Sequence, residues 1–285
     1  MRGNGRLLVI THGSSGNPWV HTDLARAIVA AGFVVALPEH AGDNAKDPST
    51  PGPESWKRRP AEVSRAIDAV ARDTRLAPLL DLDKVGVFGG SAGGHTALSF
   101  AGGAWSPARF RQHCEAHIAD DFSSCVGFIT RLHGNLLDGL KKWFALAVIR
   151  HRFGDDTAYT HHDPRVQATV ASVPFAADFD MASLARPRIA LGLVTAGMDV
   201  NQVPRFHSSA VLAACQDRCT HVAHLPGASH GAMLSPMPPL HLLNDVQTAL
   251  LGDPPGFDRK VLPEVDARIV DFFAQHLQPL PAPQR

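Results

Sequence analysis

The stretch KVGVFGGSAG at residues 84–93 decides the fold of this 285-residue chain. Its first five residues are mostly apolar and rich in valine, which predicts a buried strand. The pattern Gly-x-Ser-x-Gly follows at Gly89, Ser91 and Gly93, and residues 92–101 have a helical composition. A serine between a strand and a helix sits on a sharp turn with small neighbours. We therefore predict that Ser91 is a nucleophile; the alternative is a glycine-rich turn without chemistry.

Apolar runs of similar length lie on both sides of this stretch and alternate with helical patterns. Because most runs are almost continuously apolar, they indicate parallel strands covered on both faces. The alternation predicts an α/β fold with a mostly parallel central sheet flanked by helices. The predicted strands are residues 6–11, 33–38, 84–88, 166–173, 189–195 and 220–225. The predicted helices are residues 21–31, 60–72 (with Pro60 in its first turn), 92–101, 136–150, 203–214 and 264–277.

Two long stretches interrupt this alternation. Residues 39–59 predict a polar, proline- and glycine-rich loop of a length typical of functional segments. Residues 102–165 are too long for a simple crossover, and we interpret them as a helical insertion over the carboxyl ends of the strands, within one domain over residues 1–285. Ordinary peripheral helices are the alternative. The apolar positions of its strongest helical segment are Leu136, Leu137, Leu140, Trp143, Phe144, Ala147 and Val148.

The composition excludes several classes of protein. With 45% hydrophobic and 19% charged residues, the chain differs from disordered, collagen-like and coiled-coil sequences. Its 27 basic and 27 acidic residues balance, and the absence of a basic run argues against a nucleic-acid partner. The apolar runs are far shorter than the ~20 residues of a membrane span. The first ten residues lack a signal-peptide pattern, so we expect a mature or trimmed chain without its leader.

A second signal follows the first predicted strand, where residues 11–16 are Thr-His-Gly-Ser-Ser-Gly. In hydrolases with the Gly-x-Ser-x-Gly turn, the loop after an early strand supplies one of the two backbone N–H groups of an oxyanion hole. We assign these two donors to the amides of Ser14 and Ala92. We expect His12 to have a structural role rather than to act as a base. These glycines match neither a dinucleotide fingerprint nor a phosphate loop.

A serine nucleophile requires a base, and the base requires an orienting acid. Where the Gly-x-Ser-x-Gly turn is used, the chain order is serine, acid, histidine. Asp199 lies in the turn after strand 189–195, and His230 lies in a loop of small residues after strand 220–225. We therefore predict that Ser91, Asp199 and His230 form a catalytic triad.

Other acids and histidines are alternatives for these roles. Asp178 and Asp180 follow the preceding strand and could supply the acid. His95 lies one turn into the helix after the serine, where we expect it to pack. His221 and His224 are three residues apart on a predicted strand. Because side chains alternate along a strand, we expect these two histidines to point to opposite faces and not to act together.

Metal binding is not predicted. The adjacent histidines at residues 161–162 are followed by Asp163, but no distant partner completes a ligand set, so we expect a solvated loop. The cysteines also lack the Cys-x-x-Cys spacing of a zinc site.

Four cysteines fall as two close pairs, Cys114/Cys125 and Cys215/Cys219. One interpretation is two local disulfides, which would favour a periplasmic or secreted protein. The other is four thiols in a cytoplasmic protein. Two tryptophans, Trp19 and Trp143, are candidates for lining a substrate pocket, and core packing is the alternative for each.

Together these motifs resemble the α/β-hydrolase superfamily, and within it the serine-dependent dienelactone hydrolase-like and platelet-activating-factor acetylhydrolase-like esterases. The resemblance covers roughly residues 7–277. Dienelactone hydrolases proper have a cysteine where this chain has Ser91, and strands that usually precede the His-Gly strand are missing, so we expect a shortened sheet. The motifs that resemble the family are His12-Gly13-Ser14, Pro38-Glu39-His40, Arg59-Pro60, GGSAGGH at residues 89–95, Gly197-Met198-Asp199 and Ser229-His230-Gly231.

The motifs and the resemblance together imply an α/β-hydrolase fold and a carboxylic ester hydrolase that works through an acyl-enzyme, with no cofactor and no metal. Its partners would be small-molecule, lipid or polymeric esters, including lipid acetyl esters, lactones and polyesters. Two alternatives stay open: a serine peptidase or amidase on the same fold, and a non-catalytic binding protein with a vestigial triad. We expect a monomer or a small homo-oligomer.

Overall fold

A computed structural model of the chain describes residues 3–127 and 129–277. These residues form an α/β fold around a six-stranded, all-parallel sheet with strand order β2-β1-β3-β4-β5-β6. The predicted α/β class and parallel central sheet are confirmed. The strands are β1 Leu7–Thr11, β2 Val34–Ala36, β3 Val85–Gly90, β4 Val166–Ser172, β5 Ala190–Ala196 and β6 Thr220–Leu225.

Helices flank the sheet on both faces. None of the helices in the described part of the chain is long and apolar enough to cross a membrane. The α-helices are α1 Thr22–Ala30, α2 Pro53–Arg72, α3 Ala92–Phe100, α4 Pro107–His117, α5 Phe122–Cys125, α6 Leu137–Arg152, α7 Met181–Leu184, α8 Ser208–Cys215, α9 Asp245–Leu251 and α10 Leu262–Leu277. Short 3-10 helices lie at Pro18–His21, Ala77–Leu79, Pro204–Phe206, Gln216–Arg218, Leu240–Leu242 and Arg259–Val261.

Consecutive residues of the central strands pack on opposite faces of the sheet. On β1, Leu8 and Ile10 belong to the core formed with α1 and α10, whereas Leu7 and Val9 pack with α2. All four side chains are buried. Because both faces are covered, the strand is a continuous apolar run in the sequence rather than an alternating one.

The chain changes direction across the sheet at β1. From β1 it passes through α1 to β2 on one side, and α2 then returns it to β3 on the other side of β1. In open parallel sheets, ligands bind outside the carboxyl ends of the strands at such a switch point. The loop after β1 contains residues 12–16 and the turn after β3 contains Ser91, so the two strongest sequence signals meet at this point.

Within the described residues, α4, α5 and α6 lie between α3 and β4, in the stretch predicted as an insertion. Phe110 of α4 packs edge-on against Phe153 after α6, with ring centroids 5.0 Å apart. Ile149 of α6 is buried in the core cluster that also contains residues of α3 and β5. The stretch is therefore helical and packs onto the main core; its residue 128 lies outside the described residues.

Both predicted cysteine pairs are disulfide-bonded. Cys114–Cys125 joins α4 to α5, and Cys215–Cys219 closes the turn between α8 and β6, with a Cα–Cα distance of 5.7 Å in each case. Such bonds restrict the unfolded chain and so favour the folded state. The first bridge therefore fixes two helices of the insertion to each other.

The second helix begins earlier than predicted. Its first residue is Pro53, which follows Gly52, and Pro60 lies inside the helix. Proline does favour the first turn, but the prediction chose the wrong proline, and the loop predicted over residues 39–59 ends at Gly52. The interior proline is tolerated because α2 is 20 residues long and its buried side, including Trp56 and Val63 around Pro60, is held by tertiary packing.

The helix predicted over residues 203–214 is split into a 3-10 turn and α8. The break falls at His207, with φ −121° and ψ −102°. Its ring is buried, and Nδ1 accepts a hydrogen bond of 3.0 Å from the Ala176 N–H. The backbone departs from helical geometry where this side chain is drawn into the core.

The prediction that His221 and His224 face opposite sides is wrong. Both rings contact the same hydroxyl, Thr195 Oγ1, through His221 Nε2 at 2.9 Å and His224 Nδ1 at 2.8 Å. The register of β6 on β5 shifts between the partners of Leu193 and Val194. This bulge inserts one extra residue and returns the second histidine to the face of the first.

Candidate active site

Ser91 occupies a strained position between β3 and α3. Its φ of 56° and ψ of −116° lie where residues with side chains are rarely found. Three backbone hydrogen bonds hold it there: its N–H donates to Ser172 O at 3.0 Å, and its carbonyl accepts from His95 N–H at 3.0 Å and Phe175 N–H at 3.2 Å. The side chain is left half-buried at the carboxyl edge of the sheet.

Two glycines allow this turn to lie directly against β1. A Cβ on Gly89 would overlap the backbone of Gly93, and a Cβ on Gly93 would overlap the carbonyl of Thr11 at the end of β1. The small residues two before and two after the serine are therefore a steric requirement of the turn.

The structure brings Ser91, His230 and Asp199 into one hydrogen-bonded chain. His230 Nε2 lies 3.0 Å from Ser91 Oγ, and His230 Nδ1 lies 2.7 Å from Asp199 Oδ2. His230 and Asp199 are 7% and 4% exposed. When the Nδ1 proton is donated to the carboxylate, Nε2 is left as the acceptor for the serine hydroxyl. An imidazole placed in this way can remove the proton of a serine.

The backbone of its own turn orients the Asp199 carboxylate. Asp199 Oδ1 accepts hydrogen bonds from the N–H groups of Asn201 at 2.9 Å and Gln202 at 2.8 Å. The other oxygen is thereby directed to His230. A carboxylate held by two N–H groups and an imidazole has a single defined position relative to the histidine.

The loop that contains His230 is anchored on both sides. Met198, in the acid turn, donates its N–H to Ala228 O at 2.9 Å. The Ser229 hydroxyl donates to Gly252 O at 2.7 Å, after α9. The acid turn and the histidine loop are therefore held to each other by backbone as well as by the His230 ring.

The loop after β1 lies beside the serine. A Cβ on Gly13 would come within 3.3 Å of Ser91 Cβ, so the loop approaches through a residue without a side chain. Ser14 follows directly, and Ala92 is the first residue of α3. Among the hydrogen bonds of the described residues, neither the Ser14 N–H nor the Ala92 N–H has an acceptor. Neither amide is therefore engaged within the described residues, and the N-terminus of α3, which begins at Ala92, favours negative charge beside Ser91.

A buried ion pair supports this loop, although neither of its residues was predicted to have a role here. Arg59 Nη2 lies 2.8 Å from Asp43 Oδ2, and both side chains are fully buried. Arg59 Nη1 donates to His12 O at 2.5 Å, and Asp43 Oδ1 accepts from the Ser14 hydroxyl at 2.6 Å. Burial alone would raise the pKa of Asp43, but the Arg59 charge and hydrogen bonds that include the Ser14 hydroxyl hold it below its ordinary value. The pair is therefore ionised and fixes the backbone on both sides of Gly13.

His12 belongs to this support and has the structural role predicted for it. Burial, with the charges of Arg59 and His40, lowers the pKa of His12 to about 3. Its Nδ1 lies 2.7 Å from Gly13 O, and its Nε2 accepts from the His40 N–H at 3.3 Å. The ring is thus neutral near pH 7 and both nitrogens are engaged.

Gln202 contacts the serine and was not predicted. Its Nε2 donates to Ser91 Oγ at 3.2 Å, across 111 residues of sequence. Gln202 is 3% exposed, and within the described residues its Oε1 has no hydrogen-bond partner. The Asp199 turn presents this amide to the serine, since the Gln202 N–H is bound by the same carboxylate. No local sequence pattern predicts a contact between residues so far apart in the chain.

The alternative acid Asp178 is engaged elsewhere. Its Oδ2 lies 3.0 Å from His95 Nε2, and both side chains are buried. Aromatic rings enclose His95, with centroids at 4.9 Å for Trp56, 4.7 Å for Trp105 and 4.6 Å for Phe179. His95 packs as predicted, but it also forms a second buried histidine–aspartate pair that the sequence did not reveal.

The remaining alternatives have local structural roles. Asp180 caps the first turn of α7. Asp163 is buried and lies 2.7 Å from Arg165, and His161 Nε2 lies 3.1 Å from the hydroxyl of Ser64 on α2. The predicted solvated loop is therefore wrong for Asp163 and for half-buried His161, because this segment packs on α2 before it enters β4.

A further buried cluster ties the insertion to the acid turn. His207 Nε2 lies 3.0 Å from Asp121 Oδ2, which also lies 2.8 Å from His113 Nε2. The Ser124 hydroxyl lies 3.1 Å from the same His207 nitrogen and donates to Asn201 O at 2.7 Å. Burial alone would raise the pKa of Asp121, but the two histidines hold it well below its ordinary value. The helices α4 and α5 are thus bonded to the turn that orients Asp199.

Both tryptophans proposed as pocket residues lie on the surface. Trp19 is 71% exposed and Trp143 is 66% exposed, so neither is a core residue. A cavity of about 340 Å³ lies beside the acid turn, lined in part by Val200, Asn201 and residues 130–132, and neither tryptophan lines it. Their role in lining a substrate pocket stays a prediction.

The part of the chain that the structure describes contains no group of three or more His, Cys, Asp or Glu side chains placed to hold a metal ion. In comparisons with known proteins, no family model matches the chain, and no curated protein matches it.

Proposed function

We propose that the chain is a serine hydrolase of the α/β-hydrolase superfamily that cleaves carboxylic esters through an acyl-enzyme. The observation that supports this most directly is the continuous chain of hydrogen bonds from Asp199 through His230 to Ser91 Oγ. The strained turn at Ser91 and the two available amides beside it support the same chemistry. The choice of esters rests on the resemblance of the motifs to dienelactone hydrolase-like and platelet-activating-factor acetylhydrolase-like esterases.

In the first half of the proposed reaction, Ser91 Oγ attacks the ester carbonyl carbon while His230 Nε2 takes the hydroxyl proton. The carbonyl oxygen becomes an oxyanion, which the N–H groups of Ser14 and Ala92 would bind. Asp199 keeps the imidazole in the required tautomer and stabilises its protonated form. His230 then gives the proton to the leaving alkoxide, so an alcohol departs and the acyl group stays on Ser91.

In the second half, water replaces the alcohol. His230 Nε2 removes a proton from the water, whose oxygen attacks the acyl carbon, and the same proton then returns to Ser91 Oγ as the acid leaves. Gln202 Nε2 donates to Ser91 Oγ, which is the attacking atom in the first half and the leaving atom in the second. The amide would therefore stabilise negative charge on this oxygen in both halves.

The test is turnover of p-nitrophenyl acetate by the wild-type chain and by Ser91→Ala. We expect kcat to fall by about 10⁴ or more, because the nucleophile of the acyl-enzyme is lost. Ser49→Ala, in an exposed loop, is the matched control and should keep full activity. A fluorophosphonate should label the wild type and the control but not Ser91→Ala.

Three outcomes would contradict the proposal. Folded Ser91→Ala that keeps more than about a tenth of the activity would exclude the serine as nucleophile. Labelling at Ser91 together with faster cleavage of a p-nitroanilide than of the matched ester would favour a peptidase or amidase. A folded wild type with neither turnover nor labelling would favour a binding protein.

A further inference from the structure

One peptide group in the turn that contains Asp199 is held at both ends. The N–H of Gln202 donates to Asp199 Oδ1 at 2.8 Å. The carbonyl of Asn201 accepts from the Ser124 hydroxyl at 2.7 Å. This N–H and this carbonyl belong to the same peptide bond, whose atoms lie in one plane. The direction of the carbonyl therefore sets the direction of the N–H, and Ser124 acts on the Asp199 carboxylate through this plane.

Two sets of contacts connect this peptide group to the serine. In the first, Asp199 Oδ2 lies 2.7 Å from His230 Nδ1, and His230 Nε2 lies 3.0 Å from Ser91 Oγ. In the second, the peptide plane ends at the Cα atom of Gln202, and the side-chain amide of this residue donates to Ser91 Oγ at 3.2 Å. A rotation of the peptide group would therefore displace both the acid and the amide relative to the serine.

The buried neighbours of Ser124 determine where its hydroxyl proton points. His207 Nδ1 accepts from the Ala176 N–H at 3.0 Å, so the ring is neutral and has its proton on Nε2. This Nε2 lies 3.1 Å from Ser124 Oγ and 3.0 Å from Asp121 Oδ2. Both oxygens can accept from the one N–H, as in a three-centre hydrogen bond. The Ser124 hydroxyl is then left to donate to Asn201 O.

The position of Ser124 in the insertion is itself fixed by strong contacts. The residue that follows it, Cys125, is disulfide-bonded to Cys114 of α4. Asp121, directly before α5, is buried and also lies 2.8 Å from His113 Nε2 on α4. A covalent bond and charge-assisted hydrogen bonds therefore hold the short helix that presents this hydroxyl to the Asp199 turn, 77 residues away in sequence from its acceptor.

We propose that Ser124 is a positioning residue, which orients the Asp199 carboxylate toward His230 through this peptide group. A donor on the carbonyl polarises the peptide and strengthens its N–H as a donor in turn. Without the Ser124 hydroxyl, the peptide can rotate and the carboxylate loses part of its support. The effect on turnover rests on the proposed hydrolase function, whereas the orientation itself can be observed without a substrate.

The alternative is that Ser124 only attaches the insertion to the core. The two roles differ in how they depend on the acid. An attachment would affect activity by the same factor whether residue 199 has a carboxylate or an amide. A positioning residue acts through the carboxylate, so its effect should disappear once the acid is replaced, because residues that act as a unit are not additive.

The first experiment compares Ser124→Ala with Ser123→Ala in turnover of p-nitrophenyl acetate. Ser123 is the matched control, since it lies on the same helix and its hydroxyl forms no hydrogen bond within the described residues. We expect Ser124→Ala to lower kcat about ten- to a hundredfold with KM changed by less than about twofold, as small misplacements of catalytic groups do. Ser123→Ala should keep the wild-type kcat. Added to Asp199→Asn, Ser124→Ala should lower kcat by less than about twofold further.

The second experiment is proton NMR, which requires no turnover. The Nδ1–H of His230, donated to Asp199, should give a low-field signal that is identified by its loss in Asp199→Asn. We expect Ser124→Ala to shift or broaden this signal, because the hydrogen bond lengthens and the proton exchanges faster with water. Ser123→Ala should leave the signal unchanged. Alanine removes one oxygen atom and suits a helix, so both variants should fold, which circular dichroism checks.

Two results would overturn the proposal. One is an unchanged His230 signal in folded Ser124→Ala. The other is an equal loss of kcat from Ser124→Ala in the wild type and in Asp199→Asn, which would assign the residue to attachment alone. Failure of the proposed function would be seen separately. A wild type that hydrolyses no ester, but whose His230 signal still depends on Ser124, would refute the hydrolase and support the positioning role.

Discussion

Two buried histidine–aspartate pairs lie beside α3, and they differ in what the second imidazole nitrogen meets. His230 contacts Asp199 through Nδ1 and Ser91 Oγ through Nε2. His95 contacts Asp178 through Nε2, at 3.0 Å, but within the described residues its Nδ1 is buried without a hydrogen-bond partner. The first ring joins an acid to a hydroxyl, whereas the second ends among aromatic side chains.

The difference follows from the elements that hold the two histidines. His230 lies in a loop after β6, at the carboxyl edge of the sheet where the Ser91 turn also emerges. His95 lies on α3 itself and is fully buried, so its ring points into the layer of Trp56, Trp105 and Phe179. A buried histidine–aspartate pair is therefore not enough to indicate catalytic activity. A proton can be transferred only where the second imidazole nitrogen meets a further polar group, as His230 meets the Ser91 hydroxyl.

The sharpest test of this comparison exchanges each acid for its amide. Asp199→Asn should lower kcat on p-nitrophenyl acetate by about 10⁴, because the amide cannot hold the imidazole in the tautomer that accepts the serine proton. Asp178→Asn should change kcat by no more than a few-fold, because His95 has no contact with the serine hydroxyl. Kinetics of both folded variants on one ester decide between them. A dead but folded Asp178→Asn would reverse the roles of the two pairs.

The proposed oxyanion donors belong to the Ser91 site, and Ser14 tests one of them. Ser14→Pro removes the N–H and should lower kcat by about 10²–10³, as loss of one oxyanion donor does. Ser14→Ala keeps the N–H and loses only the hydroxyl bonded to Asp43, so kcat should stay within a few-fold. Circular dichroism must first show that the proline variant is folded. A folded Ser14→Ala that has lost most of its activity would mean that the hydroxyl, rather than the N–H, acts on the substrate.

Gln202 sharpens the comparison at the serine itself. Gln202→Met keeps the size of the side chain and removes the donor to Ser91 Oγ, so kcat should fall about tenfold while KM changes little, because a hydrogen bond to a charged oxygen is lost only as negative charge develops. The His95 pair offers the control, since Asp178→Asn should show no such effect. A kcat equal to the wild type would show that the contact of 3.2 Å is unimportant for the reaction.

Another buried aspartate, Asp266, has no imidazole partner among the residues that the structure describes, and its effect should appear in stability alone. Burial, with the nearby charge of Asp23, raises the pKa of Asp266 on α10 to about 6 from an ordinary value of 3.8. A raised carboxyl pKa favours folding while the group is protonated, and this contribution is lost as pH rises from about 4 through about 6. Asp266→Asn should therefore raise Tm by a few degrees at pH about 8, corresponding to about 1–2 kcal/mol.

The same variant should give little change at pH about 4, where the wild-type carboxyl is protonated. Asp271→Asn, exposed on the same helix, is the control and should leave Tm unchanged at both pH values. Thermal unfolding followed by circular dichroism measures both. An Asp266→Asn variant that is less stable than the wild type at pH about 8 would show that the ionised carboxylate is stabilised in the folded chain.

The sequence alone located the strands and the loops after them. The bounds of β6 were predicted without error, and those of the other strands within one or two residues. Hydrophobic runs and turn residues are local properties, so they can be recognised before any long-range contact is known. Because the carboxyl ends of parallel strands share one edge, the same patterns placed Ser91, Asp199 and His230 in loops that could meet.

Long-range contacts decided what local patterns left open. The proline in the first turn of α2 is Pro53 rather than Pro60. The helix begins seven residues earlier than predicted, because packing of α2 against the sheet stabilises the turns that precede Pro60. Pairing of β6 with β5 created the bulge that turned His224 to the side of His221. Both outcomes depend on the neighbouring element, which has no signature within the segment itself.

The partners of individual side chains were likewise determined by the tertiary structure. Asp199 and Asp178 follow successive strands and are equivalent by chain order, but only the fold places one beside His230 and the other beside His95. The donation from Gln202 to Ser91, and that from Ser124 to Asn201 O, also required coordinates. The physical reason is that spacing fixes which face of an element a residue is on, whereas the partner on that face is set by how distant elements pack.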